Sequence, residues 1–330
     1  MKISLITPAR KGMRTGNRTT AMRWARILRG LGHHVQITTD YADEPADLMI
    51  ALHAWRSAAG VRRFRARYPD RPLIVGMAGT DIYRFQQTDP EVTHASMEMA
   101  DRLVGLHDLV GDAIPEAMRG KLRIIYQSVA PLPHRLPPLR GAFEVLVIGH
   151  LREEKDPLRT ALAARDLPAS SRIRVVHFGM AHDAHWAEAA KAEMTTNPRY
   201  HWRGEVPSRM VRRAMARARL TVLSSIMEGG ANVVSEALVA GLPILASAIA
   251  GSIGLLGRDY PGYFPVGDTA ALTALLHRTE TDASFLDSLR AHCATRAPLF
   301  SPDHERDAWA ALLGELSDAK RSAPADRSAA

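Results

Sequence analysis

The chain contains 330 residues, a length that suits two α/β domains of ordinary size, and 46% of them are hydrophobic, which supports a substantial core. Its single cysteine, Cys293, excludes a disulfide framework and indicates a reducing compartment, so we expect a cytoplasmic protein. The formal net charge is +8, and residues 1–39 carry eight lysines and arginines but no acidic residue. A basic field of this kind attracts phosphate groups.

Short apolar runs alternate with helical patterns along the chain, which predicts an α/β protein with parallel, doubly wound sheets. Residues 8–16 form a basic, glycine-containing loop after the first strand, and they precede a helix predicted over residues 20–31. Gly32 stands where a helix of this length commonly ends. The strands predicted in the first half are residues 3–6, 35–38, 48–52, 73–76, 103–105 and 123–125.

A proline-rich segment divides the chain. Four of the eight residues from Pro131 to Pro138 are prolines, which can join neither a helix nor a central strand, so this segment is predicted to be a linker. The domains are therefore expected to be residues 1–137 and 138–301, followed by a helix over about 302–316 and a disordered tail over 317–330. The main strands predicted in the second domain are residues 144–148, 174–178, 220–223 and 243–247.

Residues 228–236 read Glu-Gly-Gly-Ala-Asn-Val-Val-Ser-Glu and follow a predicted strand. We expect a loop that opens a helix, whose first N–H groups have no intrahelical partner and attract anions. Gly229 and Gly230 would let the backbone approach a ligand closely, while Glu228 and Glu236 could accept hydrogen bonds from sugar and ribose hydroxyls. An ordinary strand–turn–helix unit is the alternative interpretation.

Two glutamates separated by seven residues, with Gly241 and Pro243 beyond them, resemble the glycosyltransferases of the GT4 family. The resemblance implies a GT-B fold, in which two Rossmann-like, doubly wound domains face each other across a cleft. It also implies a final helix that packs back on the first domain. The co-substrate implied is a nucleotide sugar, with UDP favoured, and no metal or other cofactor is required.

The segment from Gly149 to Lys155 resembles the part of GT4 enzymes in which an arginine and a lysine neutralise the diphosphate leaving group. This resemblance assigns catalytic roles to Arg152, Lys155 and Glu228, whereas solvated surface charges are the alternative. Many GT4 enzymes have an aromatic residue where this chain has Gly230, which leaves the donor sugar open. The remaining donor contacts implied are Gly16, Gly149, Gly179, Val206, Gly229, Gly230, Ala231, Asn232, Val233 and Glu236.

Three segments are candidates for acceptor binding. The cationic loop after the first strand suggests a small anionic acceptor, with a basic surface loop as the alternative, and residues 52–57 and 78–84 follow strands where open α/β sheets bind ligands. Many GT4 enzymes have a histidine where this chain reads Ala-Gly-Thr at residues 78–80. Asp81 either partly substitutes for that histidine or caps the helix that follows. The acceptor-binding residues expected are Arg10, Lys11, Arg14, Asn17, Arg18, His53, Arg56, Thr80, Asp81 and Arg84.

A narrower resemblance rests on Thr7-Pro-Ala, Gly16-Asn-Arg, Leu52-His-Ala and Gly79-Thr-Asp-Ile-Tyr, which are similar to segments of the selenosugar synthases of selenoneine biosynthesis. Those enzymes join a UDP-sugar, typically UDP-N-acetylglucosamine, to selenophosphate through a carbon–selenium bond. Selenophosphate is already an anion, so it would need positioning cations more than a base.

Other functions remain open at this stage. The acceptor could instead be a sugar phosphate or a lipid phosphate, and the basic first domain could bind nucleic acid. Because no aromatic residues interleave with the basic loop, we expect small-molecule substrates and no nucleic acid. We also expect no integral membrane segment, and the oligomeric state is open.

Overall fold

A computed structural model describes residues 1–13 and 15–322 of the chain. They form two compact units, one comprising Met1–Gln127 together with the chain from Pro302 onward, and the other comprising Ser128–Ser301. Each unit is built on a six-stranded, fully parallel sheet with helices in the connections. The α/β class predicted from the alternating pattern is therefore observed in both units.

The first sheet has the strand order β2-β1-β3-β4-β5-β6, so the connections change direction beside β1. Its strands are Lys2–Ile6, His34–Thr38, Leu48–Leu52, Leu73–Gly76, Arg102–Gly105 and Leu122–Ile124 (β1 to β6). The helices of this unit are Gly16–Gly30, Ala58–Arg67, Gln86–Thr88, Pro90–Met99 and Glu116–Arg119 (α1 to α5), with a π-helical turn at Asp81–Phe85 and a 3-10 turn at Asp108–Ala113.

The second sheet has the order β12-β11-β10-β7-β8-β9, which is the Rossmann order when its strands are counted from β7. Its strands are Phe143–Ile148, Ile173–Phe178, Tyr200–Trp202, Leu220–Leu223, Ile244–Ser247 and Tyr263–Phe264 (β7 to β12). The helices that follow are Arg159–Arg165, Ala184–Thr196, Ser208–Arg217, Asn232–Val239, Ala250–Leu256, Thr269–Thr281, Ala283–Arg296 and Pro302–Ser322 (α6 to α13), with 3-10 turns at Glu153–Lys155 and Ala297–Phe300.

The central strands are buried on both faces, which explains their unbroken apolar sequences. In β3, Leu48, Ile50 and Leu52 join the core cluster that contains Trp24 of α1. The alternating Met49 and Ala51 join a second cluster that contains Phe64 of α2. The two-residue period of a strand thus supplies two cores from one apolar run.

Helix α1 begins at Gly16, four residues before the predicted start, because Thr15 caps it: the Thr15 hydroxyl accepts a hydrogen bond from the N–H of Arg18. Gly16 and its neighbours therefore lie in the first helical turn and not in a loop. At the other end, Gly32 has φ +85°, and the N–H groups of Gly32 and His33 bond to the carbonyls of Arg29 and Leu28. This Schellman motif explains why glycine follows the helix.

The proline-rich segment belongs to the second unit, so the chain divides after Gln127 and not after residue 137. Prolines offer no N–H group, and the hydrogen bonds that hold the segment come from other residues. The N–H of Leu136 donates to the carbonyl of Ala216 over 2.8 Å. The Arg135 guanidinium donates to the carbonyls of Met215, Ala218 and Ala240.

Helix α13 packs within the first unit and continues to Ser322, past the predicted helix end at residue 316, while residues 323–330 lie outside the described part. Trp309 meets Trp24 edge to face, with ring centroids 4.9 Å apart. A buried ion pair joins Glu305 to Arg23 of α1 at 3.1 Å.

No helix within residues 1–13 and 15–322 has the length and apolarity needed to cross a membrane. The uncharged stretch 237–257 is divided between the end of α9, the buried strand β11 and helix α10.

Replacing Trp309 with alanine should destabilise the first unit by about 3 to 5 kcal/mol, because the side chain is fully buried against Trp24. The measurement is the free energy of unfolding in urea. Arg306→Ala, three residues earlier on the exposed face, is the control, with an expected change within about 0.5 kcal/mol. A loss below about 1 kcal/mol for Trp309→Ala would contradict this packing role.

Candidate active site

A pocket lies at the carboxyl ends of β7, β8 and β10 in the second unit, where the connections of the sheet change direction. Ligands bind at this position in open α/β sheets. The residues that line it are Val147, Ile148, Gly149, His150, Lys155, Pro157, His177, Val222, Leu223, Ser224 and Ser225.

An ion pair stands at this edge of the sheet. The ammonium group of Lys155 bonds to Oε1 of Glu228, and Ser225 Oγ donates to the same oxygen over 2.6 Å. The side chains of Lys155 and Glu228 are only 20% and 10% exposed. Each charge is therefore largely withdrawn from water and compensated by the other.

The two loops that carry this pair are tied together by backbone groups. The 3-10 turn Glu153–Lys155 follows β7, and the Glu154 carbonyl accepts from the N–H of Ile226 over 3.0 Å. Ser224 Oγ donates to the carbonyl of Asp156 over 2.9 Å. The position of Lys155 is thus fixed relative to the loop that contains Glu228.

Helix α9 begins four residues beyond Glu228, with Ala231 as its N-cap and Asn232 as its first residue. The first N–H groups of an α-helix generally lack the carbonyl partners found further along, and this is the physical basis of the anion site predicted here. Glu236 lies one turn further along and is half-buried. The predicted backbone contacts of Gly229, Gly230, Ala231, Asn232 and Val233 lie on this continuous segment.

Two glycines of the site are required by packing. A Cβ atom at Gly251, in α10, would lie 2.2 Å from the carbonyl oxygen of Glu228. A Cβ atom at Gly179 would lie 1.8 Å from the carbonyl oxygen of Gly149. Gly251 therefore supports the backbone of Glu228, and Gly179 allows the ends of β7 and β8 to approach closely.

His177 lines the pocket and is fully buried on β8. Its Nε2 lies 3.0 Å from the carbonyl oxygen of Gly149, which can only accept, so Nε2 carries the proton. Nδ1 then accepts from the hydroxyl of Tyr200 over 2.9 Å. Burial lowers the pKa of His177 from 6.5 to about 4, so the imidazole is neutral at physiological pH.

Arg152, the other predicted catalytic cation, is exposed and has Glu154 as an ion-pair partner at 3.8 Å. This contact is the surface pairing that the alternative interpretation describes. The role of Arg152 in neutralising a diphosphate remains a prediction.

The two loops that carry the predicted donor contacts Gly179 and Val206 lie side by side. The N–H of Gly179, after β8, donates to the carbonyl of Gly204, after β9, over 2.9 Å. The indole N–H of Trp202 donates to the carbonyl of Gly179 over 2.8 Å. Val206 lies two residues after Gly204 and is half-buried.

In the first unit, the structure brings His53, Thr80 and Asp81 together after β3 and β4. Nδ1 of His53 lies 2.5 Å from Oδ1 of Asp81, and its Nε2 lies 2.9 Å from the Thr80 hydroxyl. Asp81 is fully buried and also accepts three backbone N–H groups, so it organises the loops. A direct contact between Asp81 and an acceptor would require these bonds to break.

The predicted acceptor cations have different surroundings. Arg10 and Lys11 are exposed on the loop after β1. Arg56, three residues after His53 in the sequence, is also exposed. The predicted contact at Arg14 falls outside the described residues. The half-buried members of the set are Asn17 and Arg18 in α1 and Arg84 in the π-helical turn, while Gly16 is exposed at the start of α1.

Within the described residues, no group of three or more histidine, cysteine, aspartate or glutamate side chains could hold a metal ion.

Comparison with known sequence families places residues 136–298 in Glycosyl transferases group 1. The chain contains a group 1 glycosyltransferase domain. The matched segment spans the pocket, Lys155, Glu228 and helix α9. No curated protein matches the sequence of this glycosyltransferase.

Solved structures share its fold. HepE of Anabaena, in complex with UDP and glucose, is 15% identical with a TM-score of 0.75, covering 96% of this chain and 100% of that chain. The sucrose-phosphate synthase of Thermosynechococcus elongatus is 16% identical with a TM-score of 0.78, covering 96% and 99%. At these identities the likeness concerns the fold alone. It confirms the prediction of two Rossmann-like, parallel-sheet domains of the GT-B type.

Three residues that support the site of the glycosyltransferase were missed by the sequence analysis: Ser225, His177 and Gly251. Ser225 lies two residues after Leu223, the last residue of the apolar strand β10, and His177 interrupts the apolar run of β8. A polar residue at the carboxyl end of a parallel strand was the available signal. Gly251 gave none, because its requirement comes from the carbonyl of Glu228, 23 positions earlier in the sequence.

Gly251→Ala should destabilise the second unit by about 1 to 3 kcal/mol, since the added methyl group meets the backbone of Glu228. Gly314→Ala is the matched control, because its Cβ would have nothing within 4 Å. Urea unfolding measures both. Equal effects of the two substitutions would show that Gly251 does not support Glu228.

Stability should fall by about 3 kcal/mol between pH 6.5 and pH 4 through His177 alone, because the unfolded chain binds the proton more tightly than the buried imidazole does. Well above pH 6.5 both states are neutral and the contribution is constant. His177→Gln should reduce this slope in unfolding experiments at stepped pH. His182→Gln, at an exposed position, is the control and should leave the slope unchanged. An unchanged slope in His177→Gln would contradict the assignment.

Proposed function

We propose that this glycosyltransferase transfers a sugar from a UDP-sugar to selenophosphate, forming a carbon–selenium bond and releasing UDP. UDP-N-acetylglucosamine is the proposed donor. The observation that carries the donor half of the proposal is the Lys155–Glu228 pair, which stands before the N-terminus of α9 at the carboxyl edge of the second sheet.

The chemistry of the donor requires a cation here. Breaking the bond between sugar and phosphate leaves a growing negative charge on the diphosphate, and a preplaced ammonium group stabilises it. In this proposal the diphosphate draws Lys155 away from Glu228. The released carboxylate of Glu228 then accepts a hydrogen bond from a sugar hydroxyl, while the first turn of α9 contributes backbone N–H groups to the phosphates. HepE, which shares the fold, binds UDP and glucose.

The acceptor half of the proposal rests on the sequence resemblance and on charge. Arg10 and Lys11 are exposed after β1, and Arg18 lies in the first turn of α1. Arginine can grip two oxygens of a phosphate-type group, and a helix N-terminus favours an anion. Selenophosphate would be held by such cations with its soft, nucleophilic selenium free to attack.

A second acceptor class is a hydroxyl-bearing molecule, such as a sugar phosphate. One observation favours it: His53 stands between a buried carboxylate and the hydroxyl of Thr80. A hydroxyl acceptor must lose its proton in the transition state, and an imidazole is the commonest group for that task.

The decisive experiment incubates the purified protein with UDP-N-acetylglucosamine, with and without freshly generated selenophosphate. Mass spectrometry should detect a sugar product with the isotope pattern of selenium, together with released UDP. UDP release without selenium incorporation would keep the UDP-sugar transferase and reject the acceptor. No UDP release with any UDP-sugar would reject the donor.

In the same assay Lys155→Ala should lower kcat by about 100-fold or more, because the developing charge on the diphosphate loses its counterion. Lys191→Ala, at an exposed position on α7, is the matched control and should behave as wild type. Unfolding curves establish that both variants are folded. Near-normal turnover by folded Lys155→Ala would move the phosphate site elsewhere.

A further inference from the structure

Three side chains form a continuous hydrogen-bonded chain at the carboxyl edge of the first sheet. Asp81 and His53 are 0% and 1% exposed, and His53 links the Asp81 carboxylate to the hydroxyl of Thr80. Thr80 is half-buried and is therefore the member of the chain that a bound molecule can reach.

The direction of these hydrogen bonds follows from Asp81. Its Oδ2 accepts from the N–H groups of Ala54 and Ala78 at 3.0 Å, and Oδ1 accepts from Trp55 at 3.1 Å. The carboxylate acts as an acceptor throughout, so the 2.5 Å contact with His53 Nδ1 requires a proton on that nitrogen.

The other imidazole nitrogen is then an acceptor. Nε2 accepts a hydrogen bond from the Thr80 hydroxyl over 2.9 Å, which leaves the oxygen lone pairs of Thr80 for a substrate. The N–H of Arg56 also points at Nδ1 over 3.2 Å, but a protonated nitrogen cannot accept it. Thr80 therefore presents a hydrogen-bond acceptor, suited to a group that carries a proton.

The backbone of His53 is held in a conformation that its side chain disfavours. Its φ is +82°, within the left-handed region that residues other than glycine rarely adopt. The N–H of His53 bonds to the carbonyl of Gly76 over 2.8 Å, and its carbonyl accepts from Ser57 over 3.0 Å. Strain fixed in this way is a mark of functional sites.

We propose that Asp81, His53 and Thr80 form a proton relay that activates the acceptor, an inference that rests on the proposed glycosyl transfer. As the acceptor atom bonds to the sugar carbon, the bond from that carbon to the UDP oxygen breaks and the electron pair leaves with UDP. The acceptor proton passes to Thr80 Oγ1, and the proton of Thr80 passes to His53 Nε2. Asp81 compensates the imidazolium charge, and the extra proton returns through Thr80 to water after product release.

The relay assigns distinct tasks to its members. Thr80 touches the acceptor, whereas His53 and Asp81 are positioning residues that act through it. The chemistry shared by its substrates is one transferable proton, whether on a sugar hydroxyl, on a water molecule or on a protonated selenophosphate. A fully ionised selenophosphate would bypass the relay.

Hydrolysis of UDP-N-acetylglucosamine by wild-type enzyme supplies a test, since water always needs to lose a proton. Thr80→Val should lower kcat for UDP release by about 100-fold with little change in KM for the donor. Thr80→Ser should retain activity within a few fold, because it keeps the hydroxyl. Thr88→Val, an exposed position in the same unit, is the matched control. Hydrolysis by Thr80→Val at the wild-type rate would overturn the relay.

Parallel reactions with selenophosphate and with a sugar phosphate distinguish the acceptors. A loss in Thr80→Val of similar size for hydrolysis and sugar-phosphate transfer, with a small loss for selenophosphate, would support the relay and identify selenophosphate as reacting in its ionised form. Wild-type turnover with none of these acceptors would reject the proposed function itself.

A spectroscopic signature tests the geometry independently of turnover. The proton between His53 Nδ1 and Asp81 should give a strongly downfield imidazole N–H signal in the proton NMR spectrum of the full chain. The signal should persist in Thr80→Val and disappear in His53→Asn, a residue type that tolerates positive φ. Absence of the signal from the wild-type spectrum would overturn the relay.

Discussion

The second unit is organised around the ion pair between Lys155 and Glu228, because a charge this deeply buried must be compensated. The loop after β7 supplies the cation and the loop after β10 supplies the carboxylate. Hydrogen bonds from Ser224 and to the Glu154 carbonyl lock the two loops together. Beneath them, the neutral imidazole of His177 joins the ends of β7 and β9. These contacts keep the pair in place before a ligand arrives.

The two units use the same edge of a parallel sheet for different chemistry. In the second unit this edge carries a cation, a carboxylate and a helix N-terminus, which suit a diphosphate leaving group. In the first unit it carries His53, Asp81 and Thr80, which suit the movement of a proton. Both follow from topology, because parallel strands bring all their carboxyl ends, and the loops that follow, to one edge.

Physical patterns set how far the fold could be predicted. The apolar strands were located within one or two residues, since burial on both faces leaves an unbroken signal. The structure differs from the prediction at the start of α1, at the end of α13 and in the unit to which the proline segment belongs. Each of those depends on a contact: the Thr15 cap, the bonds of Arg135, and the packing of Trp309 on Trp24. A proline-rich pattern predicts a linker, but it does not show which of the two units the linker packs against.

The sequence by itself determined the α/β class, the glycosyltransferase motif and the identity of Lys155 and Glu228 as a cation and a carboxylate on loops near the start of a helix. Only the tertiary structure decided that these two residues, 73 positions apart, bond to each other while Arg152 faces Glu154. It also decided that His53 meets Thr80, 27 positions away. Local residue patterns encode strands and caps, but side-chain partners from separate strands are set by sheet order and by burial, which no local pattern contains.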